Sequence, residues 1–350
     1  MTASAFPVVF LQGTPRDRGR QHGEQFRREI GAAIDALKAE HRSISYAAAH
    51  ERAVADWPLV LKRAPEVTAE LQGIAEGSDC DLMDIFLGVG FEFFETPSPT
   101  GCSAIALKGP DGAIVAQNWD APPHVSKQLA LFVHVGPDGF EQAVIASVGG
   151  LAWVGCNRHG LALLTNDLML RSKARGLPSQ VVRRVVLAQP SVAGAIETMR
   201  ALPHMAGRSY LLGDASGDIA GVEVSPRAGV RVSQGGTTIL HTNHAVDPDV
   251  IKDEDEAELM KSYPSSRHRL NVLKRIVPLA PSVADIVVAL RNREGFPNAI
   301  CKACSQSEQT QTAFSIIVEC AGPRLHLCPA SPAERDYYPI LLPRRRPLPV

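Results

Sequence analysis

The chain changes character at Gly101-Cys102-Ser103, and that break constrains the fold more than any other stretch of the 350 residues. Before it, apolar residues recur at helical spacing. Phe26, Ile30, Ala33, Ile34 and Leu37 predict a helix over 24–38, after a turn around Gly13–Gly23. Residues 45–78 read as further helix with Gly77 as its stop, and 82–95 as another. An apolar run near the start, Phe6 to Leu11, predicts a first strand. The segment 96–100, Thr-Pro-Ser-Pro-Thr, breaks regular structure. After it, Ser103 to Leu107 and Ile114 to Gln117 read as paired strands around Asp111-Gly112.

Strand patterns then recur at 129–135, 142–148, 152–156 and 161–165. Helices fit 178–202, followed by strands at 209–212, 219–224, 229–232 and 238–241. Two more helices fit 265–276 and 282–291, and two last strands fit 312–319 and 323–327. Clustered strands and paired helices, without strict alternation, predict an α+β layered fold with antiparallel sheets. No repeat or linker divides the chain, so one continuous domain is expected.

Composition excludes several classes of function. Lys plus Arg number 36 and Asp plus Glu 37, which leaves no electrostatic footprint for nucleic acid or an anionic membrane. No apolar stretch nears the roughly 20 residues needed to span a bilayer. The first residues carry neither a basic leader nor a small-residue cleavage site, so a cytoplasmic location is the expectation. Seven cysteines at irregular spacing read as reduced thiols. The tail around Arg344-Arg345-Arg346 reads as a solvated end.

Cys102 admits two readings. Most free cysteines are small buried hydrophobes. A cysteine preceded by glycine can instead attack the unhindered Gly101 carbonyl and cut its own chain there. Water would open the thioester and leave Cys102 with a free α-amine. Such an amine ionises near pH 7.7–8.0, so it can act as base toward its own thiol. In the hairpin that follows, Asp120 would come back beside Cys102 and hold the new ammonium; a strand-end turn residue is the plainer reading. Asn243, in His241-Thr242-Asn243-His244, ends a strand. It could donate to an oxyanion or simply make an Asx turn. The His-x-x-His spacing hints only weakly at a metal, and none is expected. Cys301-Lys302-Ala303-Cys304 could be redox-active or half a zinc site, or simply two structural thiols. His22, Arg18 and Arg20 could bind an anion, with a solvated basic turn as the alternative. Trp119, Trp153 and the Phe91, Phe93, Phe94 cluster could shape an acyl pocket or serve packing alone.

Further pieces in order along the chain are Gln12-Gly13-Thr14-Pro15, His22-Gly23, Gln117-Asn118-Trp119-Asp120, Gly160, Asn166, Gly176-Leu177-Pro178-Ser179, Glu223 and Ser266-Arg267-His268-Arg269. Together with Gly101-Cys102 and His241–His244, they resemble the acyl-coenzyme A:6-aminopenicillanic acid acyltransferase family of self-processing N-terminal nucleophile enzymes. The resemblance implies a four-layer αββα sandwich cut between Gly101 and Cys102. It implies a small subunit of residues 1–101, a zymogen segment that stays as partner, and a catalytic subunit of 102–350. It assigns Cys102 as nucleophile, Asp120 as its partner and Asn243 to the oxyanion hole. Trp119, Asn166 and Phe94 are the expected substrate-binding residues.

The expected activity is hydrolysis of a small-molecule N-acyl amide, with acyl transfer to an amine as the alternative. No cofactor is expected. A thiol- or metal-binding protein using Cys301 and Cys304 is the distant alternative. The oligomeric state stays open, a homo-oligomer included. One departure from the pattern stands out: relatives can carry an arginine just before the strand at 312–319, where this chain has Gln309.

Overall fold

Strand β1 (Val8–Gln12) opens the chain and leads into helices α1 (Pro15–Gln25), α2 (Arg27–Ala39), α3 (Tyr46–Arg63), α4 (Pro65–Ser78) and α5 (Leu82–Val89). The hairpin of β2 (Gly101–Leu107) and β3 (Ile114–Ala121) follows. Next come β4 (Leu129–Gly136), β5 (Gly139–Ser147), β6 (Val154–Asn157) and β7 (Ala162–Asp167), then α6 (Ser179–Val186) and α7 (Val192–Ala201). Strands β8 (Arg208–Gly213), β9 (Ile219–Ser225), β10 (Gly229–Ser233) and β11 (Thr238–His241) precede α8 (Pro248–Ile251), α9 (Glu256–Ser262), α10 (Ser266–Ile276) and α11 (Val283–Leu290). The last described elements are β12 (Gln311–Glu319), β13 (Arg324–Cys328) and β14 (Tyr338–Ile340). This is a computed structural model that describes residues 6–95, 101–109, 111–278 and 282–342. The Pro-rich stretch at 96–100 and the basic tail lie outside them.

Two sheets result. One has eight strands in the order β1-β4-β5-β6-β7-β8-β9-β10, the other six in the order β11-β2-β3-β12-β13-β14. All pairings are antiparallel except β1 with β4. Alternate residues of each strand point to opposite faces, and three apolar cores follow. Phe132, Val144, Leu163 and Tyr210 pack the eight-stranded sheet against the amino-terminal helices and α6–α7. Leu131, Ile145, Leu164 and Leu211 meet Ala104, Val115 and Phe314 between the sheets. Ile105, Ala116 and Ile317 face α10 and α11 through Leu273 and Leu290. The fold is therefore the four-layer αββα sandwich.

Several local expectations are corrected. The expected helix over 24–38 is α2, but most of the stretch expected as a turn before it is a helix of its own, α1, because Thr14 and Asp17 form a capping box ahead of a proline at the first helical position. Gly77 does not stop α4; the helix ends one residue later, at Ser78, and Asp79 caps it in the left-handed region with φ 59°. Gly77 and Gly73 are there because α1 crosses α4 backbone to backbone. A methyl on Gly73 would overlap the Arg16 carbonyl, and one on Gly77 the Arg20 carbonyl. Gly19 and Gly23 answer them from α1 in the same way. His22 and Arg18 are buried, not a solvated turn: His22 Nε2 accepts from the Gly149 N–H at 2.9 Å, and Arg18 pairs with Glu141 at 2.6 Å. The short α8, α9 and β14 carry too few periodic residues to be read in advance. Among the described residues, no helix is long and apolar enough to cross a membrane.

The glycine crossing gives a direct test. Gly73→Ala should lower stability by about 3 kcal/mol or more, because backbone rather than a movable side chain blocks the methyl. Gly31→Ala, with open space around it in α2, should stabilise by roughly 0.5–1 kcal/mol through helix propensity. Denaturant midpoints of the two variants should move in opposite directions.

Candidate active site at the start of strand β2

The β2–β3 hairpin lies inside the six-stranded sheet, and its register sets the site. Gly101 stands opposite Asp120, Cys102 opposite Trp119, and Ser103 opposite Asn118. Asp120 thus pairs with the residue before the cysteine, one place from the position expected. Cys102 and Trp119 belong to the core between the sheets. Asn118 faces the other way and donates through Nδ2 to the carbonyls of Leu290 and Ile300, at 2.8 and 2.9 Å. That grip ties the hairpin to the segment after α11.

Both main-chain ends of Cys102 are held. Its N–H donates to Asn243 Oδ1 at 2.9 Å, and its carbonyl accepts from Arg269 Nη1 of α10. Nη1 also donates to Ser103 Oγ at 2.8 Å, while Nη2 donates to Asn243 Oδ1 at 2.9 Å. Arginine has only donors, as does a backbone N–H, so the atom of Asn243 between them must be its oxygen. Asn243 Nδ2 is left with a long 3.4 Å bond to the Asp167 carbonyl. The main-chain N–H of Asn243 donates to Ser266 Oγ at 2.8 Å, which fixes the turn after β11 against α10.

Asp120 is fully buried. Its Oδ1 accepts from Thr312 Oγ1 at 2.8 Å, and its Oδ2 has no hydrogen-bond partner. Burial pushes this carboxyl up to about 6, against the pull of Lys302, Arg269 and the Thr312 hydroxyl. Burial also pushes the Cys102 thiol well above its ordinary range, helped by the Asp167 and Asp120 carboxylates and opposed by Arg269. So placed, the Cys102 thiol is neutral near pH 7.

Asn166 lies on β7, two residues beyond Leu164 and on the same inter-sheet face. Neither its Oδ1 nor its Nδ2 has a partner, although the residue is wholly buried. Trp119 stacks on Phe314 at 5.3 Å and meets Trp153 at 5.5 Å, and Phe91 lies 5.9 Å beyond Trp153. Phe94 does not join this group. It packs in the helical-layer core beside Tyr46, with the Arg42 guanidinium 4.8 Å over its ring.

The metal hints lose their ligands to protein partners. His241 Nε2 bonds Glu223 at 2.8 Å, and His244 Nδ1 meets Ser266 Oγ at 2.8 Å. Cys301 is buried against Ser331 Oγ, whereas Cys304 is exposed. Among the described residues the one group of three ligand-type side chains is His50, Asp81 and Asp84, far along the chain from Cys301 and Cys304. Gln309 is exposed, while its neighbours Glu308 and Thr310 are buried with Lys302. Arg269, Asp167 and Lys302 were not singled out by sequence. Arg269 lay inside a quoted stretch and Lys302 inside the Cys-x-x-Cys motif, but only the fold brings them to Cys102.

The family model described as acyl-coenzyme A:6-aminopenicillanic acid acyl-transferase matches residues 107–334, well over half of the chain. The chain belongs to that family. The matched span holds Asp120, Asn166, Asn243 and Arg269 and begins just after β2's cysteine. The chain is 26% identical over 324 residues to the 40 kDa form of acyl-coenzyme A:6-aminopenicillanic-acid-acyltransferase from Emericella nidulans, covering 90% of each. Among solved structures, an N-acylethanolamine-hydrolyzing acid amidase orthologue from Caenorhabditis elegans aligns with a TM-score of 0.44 and 11% identity. That alignment covers 63% of this chain and 93% of the other. Penicillin V acylase from Agrobacterium tumefaciens aligns with a TM-score of 0.41 and 12% identity, over 65% of this chain and 82% of the other. Membership of that family makes the chain an enzyme of the acyltransferase type.

Burial of Asp120 has a measurable sign. Its folded carboxyl holds its proton up to about pH 6, above the ordinary 3.8 of the unfolded chain. The unfolded state therefore releases its proton first, and Asp120 costs stability as pH rises from 4 to 6. Asp120→Asn should gain on the wild type across that interval, by roughly 3 kcal/mol at about 1.4 kcal/mol per tenfold in proton affinity. Urea midpoints of both proteins at pH 4 and pH 7 read this directly.

Proposed function

We propose that this protein is a zymogen that cuts itself between Gly101 and Cys102 and then hydrolyses a small-molecule N-acyl amide through a thioester on Cys102. One observation carries the reading: the Cys102 nitrogen, the leaving group of such a cut, is held by Asn243 Oδ1 at 2.9 Å beside a buried carboxylate.

In the cut, Cys102 Sγ bonds to the Gly101 carbonyl carbon and gives up its proton. The Gly101–Cys102 amide bond breaks, and the nitrogen gains protons to become an amine. Water then splits the thioester, which leaves a Gly101 carboxylate and a free thiol. In turnover the Cys102 amine takes the thiol proton as Sγ attacks the substrate acyl carbon, and returns it to the departing amine. Asn243 Oδ1 and Asp120 orient the Cys102 amine. Asn243 Nδ2 and a backbone N–H stabilise the oxyanion, and such donors are worth about 3 kcal/mol each in the transition state. Asn166, with both amide atoms free, and Trp119 are the residues we assign to substrate.

Residues 1–101 stay as the partner of 102–350 in this reading, because β1 pairs with β4 and α1–α5 cover the eight-stranded sheet. The family's own description favours acyl transfer as a second reading, with an amine in place of water.

Intact mass under denaturing conditions tests the proposal. The wild type should give two masses that divide between Gly101 and Cys102, and Cys102→Ala a single chain without activity. Two fragments from Cys102→Ala would sink it. Product analysis with and without an amine acceptor separates transfer from hydrolysis: new amide formed at the expense of free acid marks transfer.

A further inference from the structure

Lys302 is buried at 3% exposure, a costly place for an ammonium unless something compensates it. Its Nζ donates to Glu308 Oε2 at 3.0 Å and to Thr310 Oγ1 at 3.3 Å. The head of the side chain stands at the proposed cleavage position. A point where Gly101 would carry a Cβ lies 3.1 Å from Asp120 Oδ2 and 3.6 Å from Lys302 Nζ. Carboxylate and ammonium thus both approach the same side of Gly101, and Oδ2 is the Asp120 oxygen that no hydrogen bond reaches.

The backbone of Lys302 serves the other oxygen. Its N–H donates to Thr312 Oγ1 at 3.0 Å, and that hydroxyl donates to Asp120 Oδ1. Lys302 is in turn placed through Ile300, whose carbonyl the hairpin holds by Asn118.

We propose that Lys302 is a positioning residue of the cleavage site, whose ammonium, clamped by Glu308 and Thr310 beside Gly101, keeps Asp120 a carboxylate there. The inference rests on the function proposed above and adds a group to it. It also names what supplies positive charge in the segment where Gln309 turns outward. The charged and titratable groups that face Asp120 are Lys302 and Glu308 from the segment before β12, Arg269 from α10 and Cys102 from β2; Thr312 of β12 supplies a hydroxyl. Lys302 acts on Asp120 with the sign opposite to Glu308.

That opposition separates a field effect from a merely structural ion pair, which would suffer alike from the loss of either partner. The experiment follows the rate of self-cleavage against pH in full-length protein. Lys302→Met should move the acid limb up by about one pH unit, so that cleavage at pH 5 falls roughly tenfold. Glu308→Gln should move it down, and Lys302→Arg should stay near the wild type. A limb that stays put in both variants, or shifts the same way in both, overturns the inference. If Lys302→Met fails to fold, Glu308→Gln alone decides: a downward shift supports the inference, and no shift or an upward one overturns it. A wild type that is never cut defeats the reading of the site itself, and the inference with it.

Discussion

The centre of this molecule depends on the buried guanidinium of Arg269. It reaches out of α10 to the Cys102 carbonyl, Ser103 Oγ and Asn243 Oδ1, and its Nε donates to Ser265 Oγ at 3.1 Å. One planar cation therefore joins the first strand of the hairpin, the turn after β11 and the helix that covers them. Donors in a fixed fork suit this task; a lysine would offer a point charge without the geometry. Because the cation is fully buried, its attraction to Asp120 is screened far less than it would be at the surface.

The remaining charges of the site follow from that arrangement. Asp120 and Asp167 oppose ionisation of the Cys102 thiol, while Arg269 supports it. Carboxylates thus outnumber cations around the sulfur itself, and Lys302 stands on the Gly101 side of the strand. Asp167 is engaged with Arg208 at 3.2 Å and Tyr263 at 3.3 Å, so it belongs to the wall of the site. The sandwich keeps these groups out of water, which makes each hydrogen bond more consequential and each orphaned polar atom more costly. The two free ends of the Asn166 amide are the clearest case, and polar atoms left so deep call for a ligand or water to meet them.

Much of the layering could be read from residue order. The short apolar runs in 129–135 and 142–148 marked β4 and β5, and the hairpin around Asp111-Gly112 marked β2 and β3. Cys102, Asp120 and Asn243 carried enough local chemistry to be noticed: a thiol, a carboxylate and an amide, each placed where a strand begins or ends. Arg269 and Lys302 were not legible in this way. A basic residue on an amphipathic helix, or between two cysteines, ordinarily faces solvent, and nothing local says that either is buried. Their roles come from contacts across more than 160 residues, as with Arg269 and Ser103. Phe94 shows the converse. Its place before the cysteine suggested an acyl pocket, yet the turn that carries it packs against α3 and puts the ring in the helical core.

Strand β1 lies parallel to β4 on the edge of the eight-stranded sheet, and the five helices that follow it cover that sheet's outer face. Under the proposed cut, this topology turns one folded chain into two that hold together without a covalent link. Such a pair obeys mass action: its apparent stability depends on protein concentration, as the unbroken precursor's does not. Once separated by denaturant, the two pieces must find each other by diffusion and pay association entropy that the precursor never met. The edge strand that completes the sheet would then also make the processed protein hard to rebuild.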